Sequence, residues 1–523
     1  MKNISYLDMV KELLPEVEFL QFEKCYHNPI QKSIKILRHR WYNGKTDLYD
    51  IVKSTISKEW NLSEPKFSYK WSTYNDVLYA VRKENLPAAS LWSHYLHQAW
   101  LVYVQEMAAS LSVQMLWVKP WDYVLDMCAA PWWKSIQIAD ILLWSSDNMW
   151  FLISNEVDAW RKKALESNLH RCWIYNVWVI QQDWCVIWDK LPEMFDKVLV
   201  DAPCSGEWMQ YKSDKKIWQW DEKKSRKLSE LQTQLLISWL KSLKVWGGLV
   251  YSTCTTNVLE NEYVISNVLR EYWNSIELIE VPLDEKSNWI TSWRWEEILS
   301  QEDSKKVARL WPHIHNTWWF FIAKIRKLGH IWNWNSDYIY NKDNINKSIN
   351  EKIRDKSANE NIRETQITEE YIRELLSQWW IRNDANVWFF NSNYTINIAP
   401  AILLQQNFQQ IIPNINIWLP IFKIVDDSKR NTKKLIPLNW ISQIFWWIAS
   451  DKQIFDKESV DKNFIDKNIL PINDEQLKIL MNKWDLKDDI LNNLQDKYIL
   501  VTWNWVWVWS ISVQNGIWKN KCF

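Results

Sequence analysis

Glycine is nearly absent, with 6 residues in a chain of 523. Ordinary usage near 7% would supply roughly 37. Read literally, so little glycine leaves few places where bare backbone can turn sharply or lie against a ligand. Cysteine is also sparse. Seven thiols, an odd number scattered over a long chain, speak against a disulfide framework and for reduced thiols in a cytoplasm. There is no run of about 18 uninterrupted apolar residues, so no membrane-spanning helix and no membrane partner are expected. The stretch MKNISYLDMVKELLPEVEF has acids where a signal peptide needs an apolar core. Net charge is missing too: 63 basic residues balance 63 acidic ones. That balance excludes a uniformly basic, nucleic-acid-binding surface and leaves only local ones. Candidates are Lys32, Lys35, Arg38 and Arg40 in QKSIKILRHR, with Lys212, Lys215 and Lys216. Each is otherwise an ordinary solvated charge.

What the chain has in excess is tryptophan, 43 residues. Glycine is short by about as many residues as tryptophan is over. Trp132 and Trp133 stand in a strand-to-helix turn, Trp318 and Trp319 precede a strand, and Trp503, Trp505, Trp507 and Trp509 alternate through WNWVWVW. These look like places for glycine's freedom. A gene in which UGA means glycine, read with a table in which it means tryptophan, would give this chain. The abundance of Lys, Asn and Ile suits an AT-rich genome of that kind. Some tryptophans are expected to be genuine, Trp220 in QWDEKK first among them.

Length predicts two to four domains. With 47% hydrophobic and 24% charged residues the chain is globular. Residues 1–100 mix helical periodicity (Tyr6, Met9, Val10, Leu13, Leu14) with strand-like SIKILR and VLYAVRK, and read as a small α+β domain that presents RNA. Residues 101–327 alternate short apolar runs with helical patterns such as DAWRKKALESNLHR. The runs are YVLDM, FLISNE, VWVIQQD, KVLVD and LVYSTC, with FFIAKI expected to close the sheet. This is the pattern of an α/β fold with a doubly wound, mostly parallel sheet. Such sheets bind ligands at the carboxyl ends of their strands, where Asp126, Glu156, Asp183, Asp201 and Cys254 fall. Residues 328–368 are polar and of low complexity, a linker. Residues 369–523 form a second globular region, β-rich towards its end.

Three strings and two single carboxylates carry chemistry. DMCAAPWWK, Asp126–Lys134, follows a strand; with glycine at 132 and 133 its turn would let a ligand lie against backbone at a helix N-terminus. Glu156 ends the next strand, where a carboxylate can accept both hydroxyls of a ribose, or merely sit at a helix start stabilised by the dipole. Asp183 can accept from an adenine amino group, or be a plain turn residue. The last two strings are DAPCSGE, Asp201–Glu207, and STCT, Ser252–Thr255, followed by Glu260 and Glu262. Carbon 5 of cytosine takes a methyl group only after a thiolate adds to carbon 6, and a base must then remove the proton so that the thiol can leave. A lone strand-end cysteine is usually a small buried hydrophobe. Pro203-Cys204 and Thr253-Cys254 together are harder to dismiss.

These strings resemble the Rossmann-fold RNA (cytosine-5) methyltransferases of the Sun type, and bacterial 16S rRNA enzymes in particular. The likeness runs over residues 30–327 and includes YVQEMAAS and ARLWPHIHNTWWFFIAKI. It implies a class I, Rossmann-like methyltransferase core that uses S-adenosyl-L-methionine, acts on RNA (rRNA, or alternatively tRNA), needs no metal and works as a monomer. Residue by residue it implies Cys254 as nucleophile and Cys204 in product release. The cofactor would be held by Cys128, Ala129, Ala130, Pro131, Trp132, Trp133, Lys134, Glu156, Asp183 and Asp201. Lys134 would orient groups in the site and Asp201 would contact base or cofactor. The carboxyl-terminal region more loosely resembles the added domains of the bacterial enzymes, with a PUA-like RNA-binding module last. His313 and His315, at i and i+2 without further clustered ligands, read as structural. The sequence departs from the family at Trp132, Trp133 and Trp208, where the family has glycine. If Trp132 and Trp133 are real, the alternative is a non-catalytic RNA-binding factor for ribosome assembly. A DNA cytosine methyltransferase fits less well, because the Thr-Cys string is present and a large insert between strands is not.

Overall fold

The computed structural model describes residues 4–331 apart from internal segments at 27–29, 39–47, 66–76, 88, 120, 131–132, 144–150, 173, 175–176, 184–190, 207–218 and 284–289. Beyond residue 331 it describes the backbone of eight strands between residues 387 and 519. The linker from residue 332 onward, Arg40, Pro131, Trp132, Trp208, Lys212, Lys215 and Lys216 lie outside the described residues.

The centre of the described molecule is an eight-stranded sheet. In chain order its strands are β1 (Tyr123–Asp126), β2 (Phe151–Asn155), β3 (Val177–Ile180), β4 (Phe195–Asp201), β5 (Leu243–Thr253), β6 (Ile276–Ile279), β7 (Ala308–Leu310) and β8 (Phe320–Lys327). Across the sheet the order is β3-β2-β1-β4-β5-β8-β6, with β7 also paired to β8. The first five are mutually parallel, and β8 runs antiparallel between β5 and β6. The chain order reverses at β1, between β2 and β4. That is the switch point at which doubly wound sheets open a crevice.

Side chains on these strands alternate between two apolar layers, as the pleat requires. Leu125, Ile153, Val198, Val200, Leu249, Tyr251 and Phe321 face one core with Tyr6, Met9, Phe22 and helix residues Leu235, Trp239, Val264 and Val268. Val124, Leu152, Leu199, Val250 and Ile322 face the other, with Tyr103, Leu111, Ile138, Leu165 and Leu169. Both faces are therefore covered, which is why the parallel strands read as continuous apolar runs. The covering helices include α1 (Met107–Leu116), α2 (Trp133–Leu143), α3 (Ala159–Arg171), α4 (Glu222–Ser242) and α5 (Glu262–Tyr272).

One strand expectation needs correcting. FFIAKI does not close the sheet; it lies inside it, buried along nearly its whole length, and Ile276–Ile279 forms the edge. The run IELI alternates buried and half-buried positions, as an edge strand should.

Ahead of this core, Trp60–Ser63, Val77–Arg82, Ser33–Ile36 and Val102–Val104 form a four-stranded antiparallel sheet in that spatial order. Lys35, expected on a basic surface, is 2% exposed here, and its ammonium lies 2.5 Å from an Asp140 carboxylate oxygen. It is an internal ion pair between this sheet and α2, so it cannot meet RNA. Lys32 stays exposed, and the Arg38 guanidinium lies over the Tyr49 ring. The eight strands described beyond residue 331 form two four-stranded sheets.

The backbone itself comments on tryptophan. Seven described non-glycine residues have left-handed φ, and four are tryptophans: Trp100 (54°), Trp117 (53°), Trp246 (69°) and Trp295 (75°). Trp117 caps α1 in the conformation that usually calls for glycine at a helix end. Gly206, in the loop after β4, shares this geometry with a φ of 62°. Trp133, Trp318 and Trp319 are not among the residues with left-handed φ. Trp319 is instead a core residue, with ring centroids 5.8 Å from Tyr6 and 5.9 Å from Phe22.

Candidate active site

The carboxyl ends of β1, β2, β4 and β5 bring most of the expected residues together. Lys134, on the first turn of α2, reaches across to Asp201 at the end of β4 with a nitrogen–oxygen distance of 2.5 Å. Burial works against the charge on Lys134, but Asp201 outweighs it and the net shift is upward. The other Asp201 oxygen accepts from the Ser252 hydroxyl at 3.0 Å, which ties β4 to β5. One residue beyond β5 is Cys254, whose sulfur lies 3.2 Å from that of Cys204 in the loop after β4. Parallel pairing of Ser252 with Asp201 sets these two loops side by side. The register makes the cysteines neighbours although 50 residues separate them.

Between β1 and β2 the loop carrying Cys128, Ala129 and Ala130 is held by backbone. The Ala129 N–H donates to the Asn155 carbonyl at 3.0 Å, and the Arg161 guanidinium donates to the Ala130 carbonyl at 2.7 Å. Asp126 is fully buried, accepts from the Ser135 hydroxyl at 2.6 Å, and is pushed up to about 7 by that burial. Burial, with the carboxylates of Asp201, Asp126 and Glu156 adding to it, also pushes the Cys128 thiol well up, so Cys128 is no thiolate nucleophile.

Glu156 is 1% exposed just past β2. One of its oxygens accepts the Asp158 N–H at 3.0 Å. The other is buried without a hydrogen-bond donor among the described residues, with Arg161 Nε 3.6 Å away. A buried carboxylate oxygen lacking a donor, next to the β1–α2 loop, suits the hydroxyls of a ribose. Asp183 sits exposed in the loop after β3, which is tied to β2 by Gln182 N–H donating to Asn155 at 3.0 Å. Trp133 is half-buried, its ring 5.8 Å from Tyr103 and 5.9 Å from Trp92.

Residues 113–326 match the model of a family described as 16S rRNA methyltransferase RsmB/F. Over these residues the chain is similar to that family. Ribosomal RNA small subunit methyltransferase F of Photobacterium profundum is 30% identical over 326 residues, 62% of this chain and 63% of that protein. The protein of the same name from Vibrio cholerae is 30% identical over 338 residues, 63% of this chain and 65% of that one. The chain thus spans a little under two thirds of the length of these relatives. Among solved structures, a methyltransferase homolog from Pyrococcus horikoshii is 27% identical and covers 62% of this chain and 98% of its own, with a TM-score of 0.48.

Sequence reasoning missed Arg161, although a base five residues after Glu156 on the following helix was a readable signal. It also passed over Glu260 as a mere companion of the STCT string. His315 is buried, its Nδ1 accepting the Trp311 N–H at 2.9 Å. Desolvation lowers His313 to about 4. Among the described residues no three potential ligands cluster to hold a metal ion, and no helix is long and apolar enough to cross a membrane.

Proposed function

We propose that the chain is an S-adenosylmethionine-dependent RNA (cytosine-5) methyltransferase of the cytoplasm, acting on small-subunit rRNA. The observation that carries this reading is the pair Cys204 and Cys254, 3.2 Å apart beside the Lys134–Asp201 ion pair. A target cytosine would have to leave its stack to reach them. The Cys254 thiolate adds to carbon 6, and the displaced π electrons make carbon 5 nucleophilic. S-adenosylmethionine, when bound, supplies an electrophilic methyl group for that carbon. Loss of the carbon 5 proton to a base then sends its electron pair back into the ring, and the bond from carbon 6 to sulfur breaks. Cys204 serves that release. Cys128–Ala130, Pro131, Trp132, Trp133, Lys134, Glu156, Asp183 and Asp201 would hold the cofactor, with the Glu156 oxygen that lacks a donor among the described residues as the ribose acceptor.

Bisulfite sequencing of rRNA and tRNA from a deletion strain, complemented by each variant, tests the reading. Cys254→Ser should abolish methylation, and Cys204→Ala should accumulate a covalent RNA adduct. Full activity in Cys254→Ser would overturn the assignment. Loss of a tRNA mark instead of an rRNA mark would move the substrate.

The reading carries a condition. We infer that many tryptophans stand where the natural product has glycine, on the strength of the four left-handed tryptophans. Peptide masses of the protein from its native host decide it. Glycine is expected at 100, 117, 132, 133, 246 and 295; tryptophan throughout would overturn it.

A further inference from the structure

Glu260 ends a short 3-10 turn, Val258–Glu260, in the segment that follows Cys254. Its side chain is wholly buried, which is costly for a carboxylate unless donors surround it. They do. One carboxylate oxygen accepts the Ser205 N–H at 2.8 Å and the Gln232 side-chain amide at 3.1 Å. The other accepts the Asn257 amide at 3.1 Å. The backbone carbonyl accepts the Tyr251 hydroxyl at 2.7 Å. The same Gln232 amide donates to the Pro203 carbonyl at 2.9 Å. Thr255 Oγ1 completes the stitching, 3.2 Å from the Ser205 hydroxyl and accepting the Asn257 N–H at 3.0 Å.

Pro203 and Ser205 flank Cys204 in sequence. Tyr251, Thr255 and Asn257 bracket Cys254. Gln232 belongs to α4. One carboxylate is thus the junction of the two cysteine loops and the helix behind them. We infer that Glu260 is a positioning residue that fixes the distance between Cys204 and Cys254, and so the handover from attack to release. This rests on the proposed roles of the two cysteines.

Glu260→Gln separates this idea from simple packing. The amide keeps the shape but has one acceptor oxygen, so its NH2 must face a donor from Ser205, Gln232 or Asn257. The first readout needs no RNA: the rate at which diamide oxidises Cys204 and Cys254 to a disulfide, read as a loss of two hydrogens by mass. Two thiols give up two hydrogens, and the diazene gains them. The second readout is kcat and KM on a small-subunit rRNA transcript. Glu260→Gln should slow disulfide closure about tenfold. It should lower kcat roughly tenfold to a hundredfold, as expected for one mispaired buried group, with KM little changed. Asn257→Ala, which removes one arm of the junction, should do the same more weakly and stands in if Glu260→Gln does not fold. Unchanged closure and unchanged kcat in a folded variant would overturn the positioning role. If Cys204→Ala in the otherwise unaltered chain forms no adduct while methylation persists, the underlying assignment of the cysteines falls instead.

Discussion

Trp295→Gly should make the protein more stable, although it deletes the largest side chain there is. Strands Ser292–Trp293 and Glu296–Glu297 pair antiparallel, leaving Arg294 and Trp295 as a two-residue hairpin loop. Both have positive φ, 47° and 75°, the signature of a type I′ turn, in which the second position prefers glycine. A left-handed conformation costs a side-chain-bearing residue roughly 1–2 kcal/mol. The Trp295 ring is fully exposed, at 104% of its reference area, so its loss forfeits no burial. Against this, glycine loosens the unfolded chain by about 0.4–1 kcal/mol. The net gain is about 0.5–1 kcal/mol, or a rise of roughly 1–4 °C in Tm for a domain of this size. Trp239→Gly is the contrasting variant. Trp239 is wholly buried on α4, and its loss should cost at least about 3–5 kcal/mol. Urea and thermal unfolding of both variants beside the parent are the assay. A lower midpoint for Trp295→Gly would refute the reasoning, and with it the claim that left-handed tryptophans mark glycine positions.

Two further outcomes follow from the interior charges. Lys35→Ala should destabilise by about 3–5 kcal/mol because it strands Asp140, while Lys35→Met with Asp140→Leu should recover most of the loss; equal cost in single and double variants, by denaturant unfolding, would argue against a paired interior charge. Asp126 has a folded pKa raised by burial from 3.8 to about 7, so the folded state favours its protonated form. Its contribution is complete below about pH 4 and is lost as pH rises towards 7. Asp126→Asn should therefore flatten the stability profile between pH 4 and 7, and an unchanged slope would show that Asp126 does not titrate there.

The parallel strands were legible because each is an apolar run that ends on a polar or reactive residue, and both faces of the sheet are covered. Each of YVLDM, FLISNE, VWVIQQD, KVLVD and LVYSTC contains or overlaps an observed strand. Their register was enough to set Cys204 beside Cys254. What was not legible depends on partners far away in sequence. Lys35 reads as part of a basic run, and only Asp140, 105 residues on, makes it interior. Glu260 has no meaning as a junction without Ser205, 55 residues before it, and Gln232, 28 before it. Trp318 and Trp319 looked like glycine positions because they stand just before a strand, yet the fold uses Trp319 as core. The tryptophans that the backbone does single out, such as Trp117 at a helix end, sit in unremarkable local sequence.

The amino-terminal helix Tyr6–Lys11 has its own consequence. The Tyr6 hydroxyl accepts a hydrogen bond from Thr256, 250 residues further on and two beyond Cys254. Synthesis at about 5–20 residues per second puts roughly 12–50 s between the emergence of the two partners. For that interval Tyr6 has neither Thr256 nor Trp319, whose ring centroid lies 5.8 Å from its own, to pack on. The Tyr6–Thr256 hydrogen bond therefore forms only once the nucleophile's own loop exists. Slow translation or a pause before residue 256 would lengthen that wait.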